Sequence, residues 1–149
     1  MNLSQKCQYA VRAVLELARR YGQGPVAISQ IAASQAIPQR FLENILNEIK
    51  PTGLIASRRG IQGGYQLAKD PAEVTVGEII RLIDGPLDPV RCIGDPASQC
   101  CPMQDQCALM NLWQRAKTAV ESVYDGTSFR DLVVEEEDLR SRTAIDFSI

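Results

Sequence analysis

Histidine is absent from all 149 residues. Without an imidazole no Cys or Ser nucleophile has its usual general base, and the commonest nitrogen ligand for a metal is missing too. Also lacking is a glycine-rich loop that runs into a helix and cradles phosphate; Gly60, Gly63 and Gly64 fall between two strand-like runs instead. The chain is therefore not expected to be an enzyme. Nor is there a long apolar run, because Lys6, Arg12, Glu16, Arg19 and Arg20 interrupt the N-terminal apolar residues. Neither a signal peptide nor a membrane-spanning segment fits such a pattern, so a cytoplasmic protein with no membrane partner is expected. No repeat or low-complexity stretch is present, and the length suits one core with extensions.

What the chain does have is five cysteines, an odd number. In a reducing compartment that favours metal binding or redox sensing over disulfides. Cys92, Cys100, Cys101 and Cys107 lie together among Gly94, Pro96, Ser98 and Pro102, residues that predict irregular backbone. This stretch leads directly into the apolar helical pattern of residues 109–124. Thiolates gathered on a loop that enters a helix make a metal or cluster site able to pull on that helix.

Charge is unevenly divided. Residues 1–70 hold nine Lys/Arg against four Asp/Glu, a net +5, and residues 71–149 hold seven against fourteen, a net −7. A Debye length of about 8 Å at physiological salt confines each field to its own face, so the basic half can bind phosphates within an acidic protein.

Periodicity supplies the elements. Tyr9, Ala10, Ala13, Val14, Leu17, Ala18 and Tyr21 predict the buried face of a first helix capped by Ser4, with Cys7, Val11 and Leu15 as a second, narrower stripe. A short helix through Ile28, Ile31 and Ala32 follows, with Ala27 standing where a capping Ser or Thr is expected. After a turn at residues 35–38, a third helix is predicted to bury Phe41, Leu42, Ile45, Leu46 and Ile49. Two helices joined by a tight turn, the second amphipathic, form a helix-turn-helix. Its outward face shows Gln39, Arg40, Glu43, Asn44 and Asn47, long polar side chains suited to base edges and phosphates. The runs 54–57 and 65–67 then flank Arg58, Arg59 and the glycines, predicting a hairpin wing whose arginines reach a phosphate or a narrow minor groove.

A further helix is predicted from Thr75 through Val76, Ile79, Ile80 and Ile83 to a stop at Gly85-Pro86. Past Cys107, the residues Leu109, Leu112, Trp113, Ala116, Val120 and Val123 form one apolar seam, which a symmetric copy of the same helix would cover. Ser128 is expected to cap a short helix over 129–134, and the acidic run 135–138 to open another short piece. The expected fold class is mostly α with a small β-hairpin wing. It comprises a winged helix-turn-helix over 1–84, a cysteine-rich loop over 85–107, and a long dimerisation helix with a C-terminal extension over 108–149.

These residues resemble the Rrf-two family of bacterial transcription regulators, of the iron–sulfur cluster-binding type. The likeness lies in Lys6-Cys7-x-Tyr9-Ala10-Val11-Arg12-Ala13 and the helix-turn-helix ending in Gly53-Leu54. It continues in Arg59-Gly60-x-x-Gly63-Gly64-Tyr65-x-Leu67-Ala68, in Val76-x-Glu78-Ile79-Ile80, and in the cysteine loop followed by Leu112-Trp113. The resemblance implies a homodimer that binds double-stranded DNA at a pseudo-palindromic operator. It implies contacts from Gln39, Arg40, Glu43 and Asn47 on the recognition helix and from Ser57, Arg58 and Arg59 at the wing. It also implies a cluster, [2Fe–2S] in preference to [4Fe–4S], on Cys92, Cys101 and Cys107. Cys101 is preferred over Cys100 because Cys101-Pro102 matches the family pattern, and Cys100 stays open as the alternative. For the fourth ligand, some relatives place a His where Met110 stands, and others use a residue near Gln8 of the opposite subunit. Here Cys7 is the candidate, from the partner subunit, against the plain alternative of a small buried hydrophobe. A cluster-free regulator that uses the cysteines as redox thiols or as a structural zinc site is the rival reading.

Overall fold

A 15-residue helix, α1 (Gln5–Arg19), lies at the centre of the fold and packs against four other helices and the second strand of the hairpin. The structure, a computed structural model, describes residues 2–94, 103 and 106–146, with side chains described through residue 143. Ser4 caps α1 by accepting from the Cys7 N–H at 3.0 Å. Ala10, Ala13, Val14 and Leu17 are buried along α1, whereas Tyr21, expected on the same face, lies past the helix end and is exposed. The two-sided apolar pattern is explained by α1 packing against helices on both sides.

Helix α2 (Ile28–Gln35) begins at Ala27 with no side-chain cap, and Ile31 and Ala32 anchor it in the core. It ends at Ala36 in the left-handed region, φ 49°, and Pro38 then starts α3 (Gln39–Ile49). Leu42, Ile45, Leu46 and Ile49 are buried as expected. Phe41 is not: it is 60% exposed. Phe41 is one residue ahead of Leu42, so a 100° step carries it off the buried arc to the flank of the helix.

A single 3₁₀ turn over Lys50–Thr52 and Gly53 at φ 77° turn the chain into β1 (Ile55–Arg58), which pairs antiparallel with β2 (Gly64–Leu67). Ser57 faces Tyr65 and Arg58 faces Gly64 across this two-stranded wing. Val26 and Tyr65 exchange two backbone hydrogen bonds of 2.8 Å, tying the base of the wing to the residues before α2. A Cβ on Gly64 would sit 2.2 Å from the Val26 carbonyl oxygen, so the close approach requires glycine.

Helix α4 (Val76–Asp84) starts with a reciprocal cap between Thr75 and Glu78 and packs on α1 through Ile79 and Ile80. One helical turn, α5 (Arg91–Gly94), carries Cys92 where irregular backbone was expected. The long helix α6 (Met110–Asp125) matches the predicted span and has no buried residue. After it, α7 (Phe129–Asp146) runs as one helix rather than two short pieces. No Gly or Pro falls between Thr127 and the end of the chain, and Glu136 pairs with Arg140 one turn on at 2.8 Å, so nothing breaks the helix at the acidic run. Phe129 is wholly buried and α7 returns to pack on α1.

Candidate nucleic-acid interface and cysteine region

Helix α3 buries one arc of its surface and shows the other to solvent, a consequence of apolar residues at 42, 45, 46 and 49. Gln39, Arg40, Glu43, Asn44 and Asn47 are all exposed on that outward surface. Among the described residues neither Arg40 nor Glu43 has an ion-pair partner, so both are free to meet a ligand. A nearby pair, Lys6 Nζ to Glu48 at 2.5 Å, joins α1 to α3 and steadies the recognition helix from the side. At the wing, Ser57, Arg58 and Arg59 are likewise exposed, and neither arginine is paired with an acid among the described residues.

Two apolar side chains on this side of the molecule escaped the sequence reading. Phe41 is exposed where its spacing predicts burial, and Ile61 at the wing tip is fully exposed. Spacing alone did not distinguish Phe41 from its buried neighbour, and a single Ile inside a glycine turn carries no periodic signal.

Behind the interface a polar network links three helices. Glu16 on α1 is completely buried, accepting from Arg20 Nε at 2.6 Å and from Gln35 Nε2 at 3.1 Å, with Arg19 as a further donor. Burial pushes its carboxyl up, and hydrogen bonds from Gln35, Arg19 and Arg20 more than reverse this, leaving it below the ordinary value. Arg12 donates to the Gln35 carbonyl, and Arg19 reaches Glu136 of α7 at 3.5 Å. In the sequence Glu16 shows only as a charge interrupting an apolar run, with no sign of its burial.

The cysteines divide into two settings. Cys7 is completely buried on α1, where burial and then the Asp84 carboxylate push its thiol up to about 11. Asp84 is held in place by the Ser4 backbone N–H at 2.7 Å and hydroxyl at 2.5 Å. Cys92 on α5 and Cys107 just ahead of α6 are half-buried free thiols. Cys100 and Cys101, the two candidates for the middle ligand, lie outside the described residues. No group of three or more potential ligands is brought together among the described residues.

The segment carrying Cys92 is nonetheless clamped to α6. Lys117 Nζ lies 2.6 Å from Asp88 Oδ1, and this carboxylate holds the lysine's pKa above its ordinary value. The other carboxylate oxygen packs onto Gly94, where a Cβ would be 1.6 Å away. Asp88 thus fastens the α5 turn to the long helix. Soft thiolates flanking this clamp suit an iron–sulfur or zinc centre by their donor chemistry.

Helix α6 is fastened in turn to the winged region. Arg81 of α4 donates to both oxygens of Asp125, at 2.6 and 2.7 Å, and also lies 3.5 Å from Glu121. The opposite side of α6 is uncovered. Leu109, Leu112 and Val123 are exposed, with Trp113, Ala116 and Val120 half-buried beside them.

A polar recognition helix, a hairpin wing with exposed arginines, and a packed helical support define a winged helix-turn-helix DNA-binding protein. Comparison with known proteins agrees. The Rrf2 family, described as "Iron-dependent Transcriptional regulator", matches residues 3–135. The HTH-type transcriptional regulator CymR of Bacillus subtilis is 34% identical over 132 residues, covering 89% of each chain. The HTH-type regulator IscR of Aliivibrio salmonicida is 34% identical over 137 residues, 92% of this chain and 80% of that one. Among solved structures, CymR, titled the global cysteine regulator of B. subtilis, superposes with a TM-score of 0.75 at 32% identity, covering 91% of this chain and 98% of that one. T. potens IscR also gives 0.75, at 29% identity, covering 93% and 90%. The chain belongs to the Rrf2 family of DNA-binding transcriptional regulators, a family named for gene control and not for a catalysed reaction. No helix of the described residues is long and apolar enough to cross a membrane.

Proposed function

We propose that this regulator is a cytoplasmic homodimer whose affinity for a pseudo-palindromic operator is set by an iron–sulfur cluster, [2Fe–2S] in preference to [4Fe–4S]. In this reading residues 1–84 read DNA, residues 85–107 hold the cluster, and residues 108–149 dimerise through α6 and extend beyond it. Gln39, Arg40, Glu43 and Asn47 meet base edges and phosphates in the major groove, and Ser57, Arg58 and Arg59 engage the backbone or minor groove beside it. Glu43 accepts from a cytosine amino group and repels misplaced phosphate, so it filters sequences. Cys92, Cys101 and Cys107 are the ligands, with Cys100 the alternative to Cys101. Cys7 of the partner subunit is the fourth, which requires its thiol to leave the pocket beside Asp84 and lose its proton.

The observation that carries the reading is the clamp of the Cys92 turn to α6 through Asp88, Gly94 and Lys117. A cluster supplies a sulfur-ligated cross-link that oxygen, nitric oxide or iron shortage removes. With their sulfurs tied, Cys92 and Cys107 hold both ends of this segment; untied, that cross-link is lost while the Asp88 clamp stays. Arg81 and Asp125 pass any shift of α6 to α4 and so to α1, which supports the recognition helix.

Anaerobic purification tests this directly. The expected protein is coloured, holds iron and sulfide in equal amounts, and binds its operator differently before and after the cluster is stripped. Colourless, iron-free protein that binds DNA normally would remove cluster control.

Two observations favour a second reading, a cluster-free regulator using redox thiols or a structural zinc. The chain is as similar to a protein titled a cysteine regulator as it is to IscR, and Cys7 is shielded by burial. Zinc analysis of the same preparation separates the two.

A further inference from the structure

Among the exposed large apolar side chains of the described residues, Ile61 stands furthest out, at 107% relative exposure. Lone exposed apolar residues are ordinary on protein surfaces. The setting of this one is not. Leu109, Leu112 and Val123 are exposed as parts of one seam, whereas Ile61 has only Arg58, Arg59, Gln62 and glycines beside it in the chain.

The turn that carries it has one shape. Gly63 N–H donates to the Gly60 carbonyl at 2.9 Å, closing a four-residue turn with Ile61 and Gln62 at its tip. Gly60 adopts φ 112°, and a Cβ on Gly63 would lie 2.2 Å from the Arg58 carbonyl oxygen. The strands below are locked to Val26. The wing is therefore a narrow finger, slim because its flanks are glycine, cationic at its base and aliphatic at its end.

That profile matches one occupant. The rim of a DNA minor groove is phosphate, its walls are deoxyribose, and its floor at A·T pairs lacks the 2-amino group that guanine projects. In the DNA-binding reading the major groove of the half-site is taken by α3, which leaves the wing the minor groove beside it. Building on the DNA-binding reading above, we propose that Ile61 enters the operator minor groove beside the half-site read by α3 and makes the wing select A·T over G·C pairs there. Against G·C the aliphatic tip covers a guanine amino group that it cannot hydrogen-bond, leaving a buried donor unpaired.

The test starts from random duplexes selected by the full-length wild-type protein and footprinted to find the base pairs under the wing. Those pairs are then made A·T, G·C or inosine·C, the last having the G·C major-groove pattern without the guanine amino group. Wild-type protein is expected to bind A·T and inosine·C equally and G·C roughly tenfold more weakly, the scale of leaving one buried donor unpaired. Ile61→Ala is expected to bind all three alike, Ile61→Asn, whose amide oxygen accepts from the guanine amino group, to lose or reverse the preference, and Ile61→Val to keep it. Equal binding by wild-type protein, or an undiminished preference in Ile61→Ala, overturns the inference while α3 readout stands. A variant that binds all three duplexes as wild-type protein does yet loses affinity for anionic vesicles points to a lipid surface and overturns it as well. Selection that enriches no sequence at all is a different result, the failure of the DNA-binding reading itself.

Discussion

The guanidinium of Arg81 and the carboxylate of Asp125 meet in a two-bonded pair directly over Gly77, where a Cβ would lie 1.9 Å from the Asp125 oxygen. Helix α4 and helix α6 are joined at this point, and an otherwise unfavoured glycine inside α4 makes room for the join. Exchanging a helical Gly for Ala ordinarily stabilises by about 0.5–1 kcal/mol. Here Gly77→Ala is expected to lower the thermal midpoint, because the new methyl displaces the Asp125 carboxylate. In an Asp125→Ala background the same exchange is expected to stabilise. A double-mutant cycle by thermal unfolding checks the change of sign. The pair itself is partly exposed, so Arg81→Ala alone should cost only about 0.5–1 kcal/mol.

Glu16 gives a pH dependence whose direction follows from its lowered pKa. Its folded value lies below the ordinary 4.5, so its contribution is fully present above 4.5 and is lost as the pH falls through the folded value. Glu16→Ala strands Arg19, Arg20 and Gln35. Because both arginines still reach solvent, the expected cost is roughly 2 kcal/mol, below the ~3–5 kcal/mol for breaking a fully enclosed pair. Denaturant midpoints should show the variant losing less stability than the parent between pH 5 and acid unfolding.

Exposed side chains without partners can be removed at little cost to the fold. Arg59→Ala should leave the unfolding midpoint unchanged, weaken operator binding across sequences, and reduce the salt slope by about one unit. Glu43→Gln should keep affinity and relax selectivity at one base pair. Titrations at several salt concentrations on wild-type and mismatched duplexes distinguish these patterns.

Phe41 provides a check on the corrected core. A buried phenylalanine truncated to alanine costs about 3–5 kcal/mol. With its exposed side chain, Phe41→Ala should cost under about 1 kcal/mol, whereas Leu42→Ala, one residue on and wholly buried, should cost about 2–5 kcal/mol. Comparable losses from the two would show that Phe41 is packed.

Thiol labelling in metal-free protein should follow burial. Cys7, enclosed and with its pKa pushed up to about 11, should resist alkylation at pH 8 until the protein unfolds, while Cys92 and Cys107 react in the folded state. Mass spectrometry of timed quenches reads each site separately. Protection of Cys92 and Cys107 on anaerobic reconstitution with iron and sulfide would then mark them as ligands.

The local elements were legible in the chain because each depends on neighbours within a few residues. Ser4 and Thr75 announce helix starts, the spacing of Leu42, Ile45, Leu46 and Ile49 orients the recognition helix, and Gly60, Gly63 and Gly64 demand the wing turn. Chain chemistry alone thus determined a winged helix-turn-helix with a polar outward face and a group of cysteines ahead of a long helix with an apolar seam. What required the tertiary structure were pairings between residues far apart in the chain: Glu16 with Gln35, Arg81 with Asp125, Asp88 with Lys117 and Gly94. Burial of Cys7 and exposure of Phe41 belong to the same class, since a helix shows its own periodicity but not how wide an arc its neighbours cover. Periodicity is a property of one segment, whereas an ion pair or a covered surface is made by two, and only folding brings the second one into place.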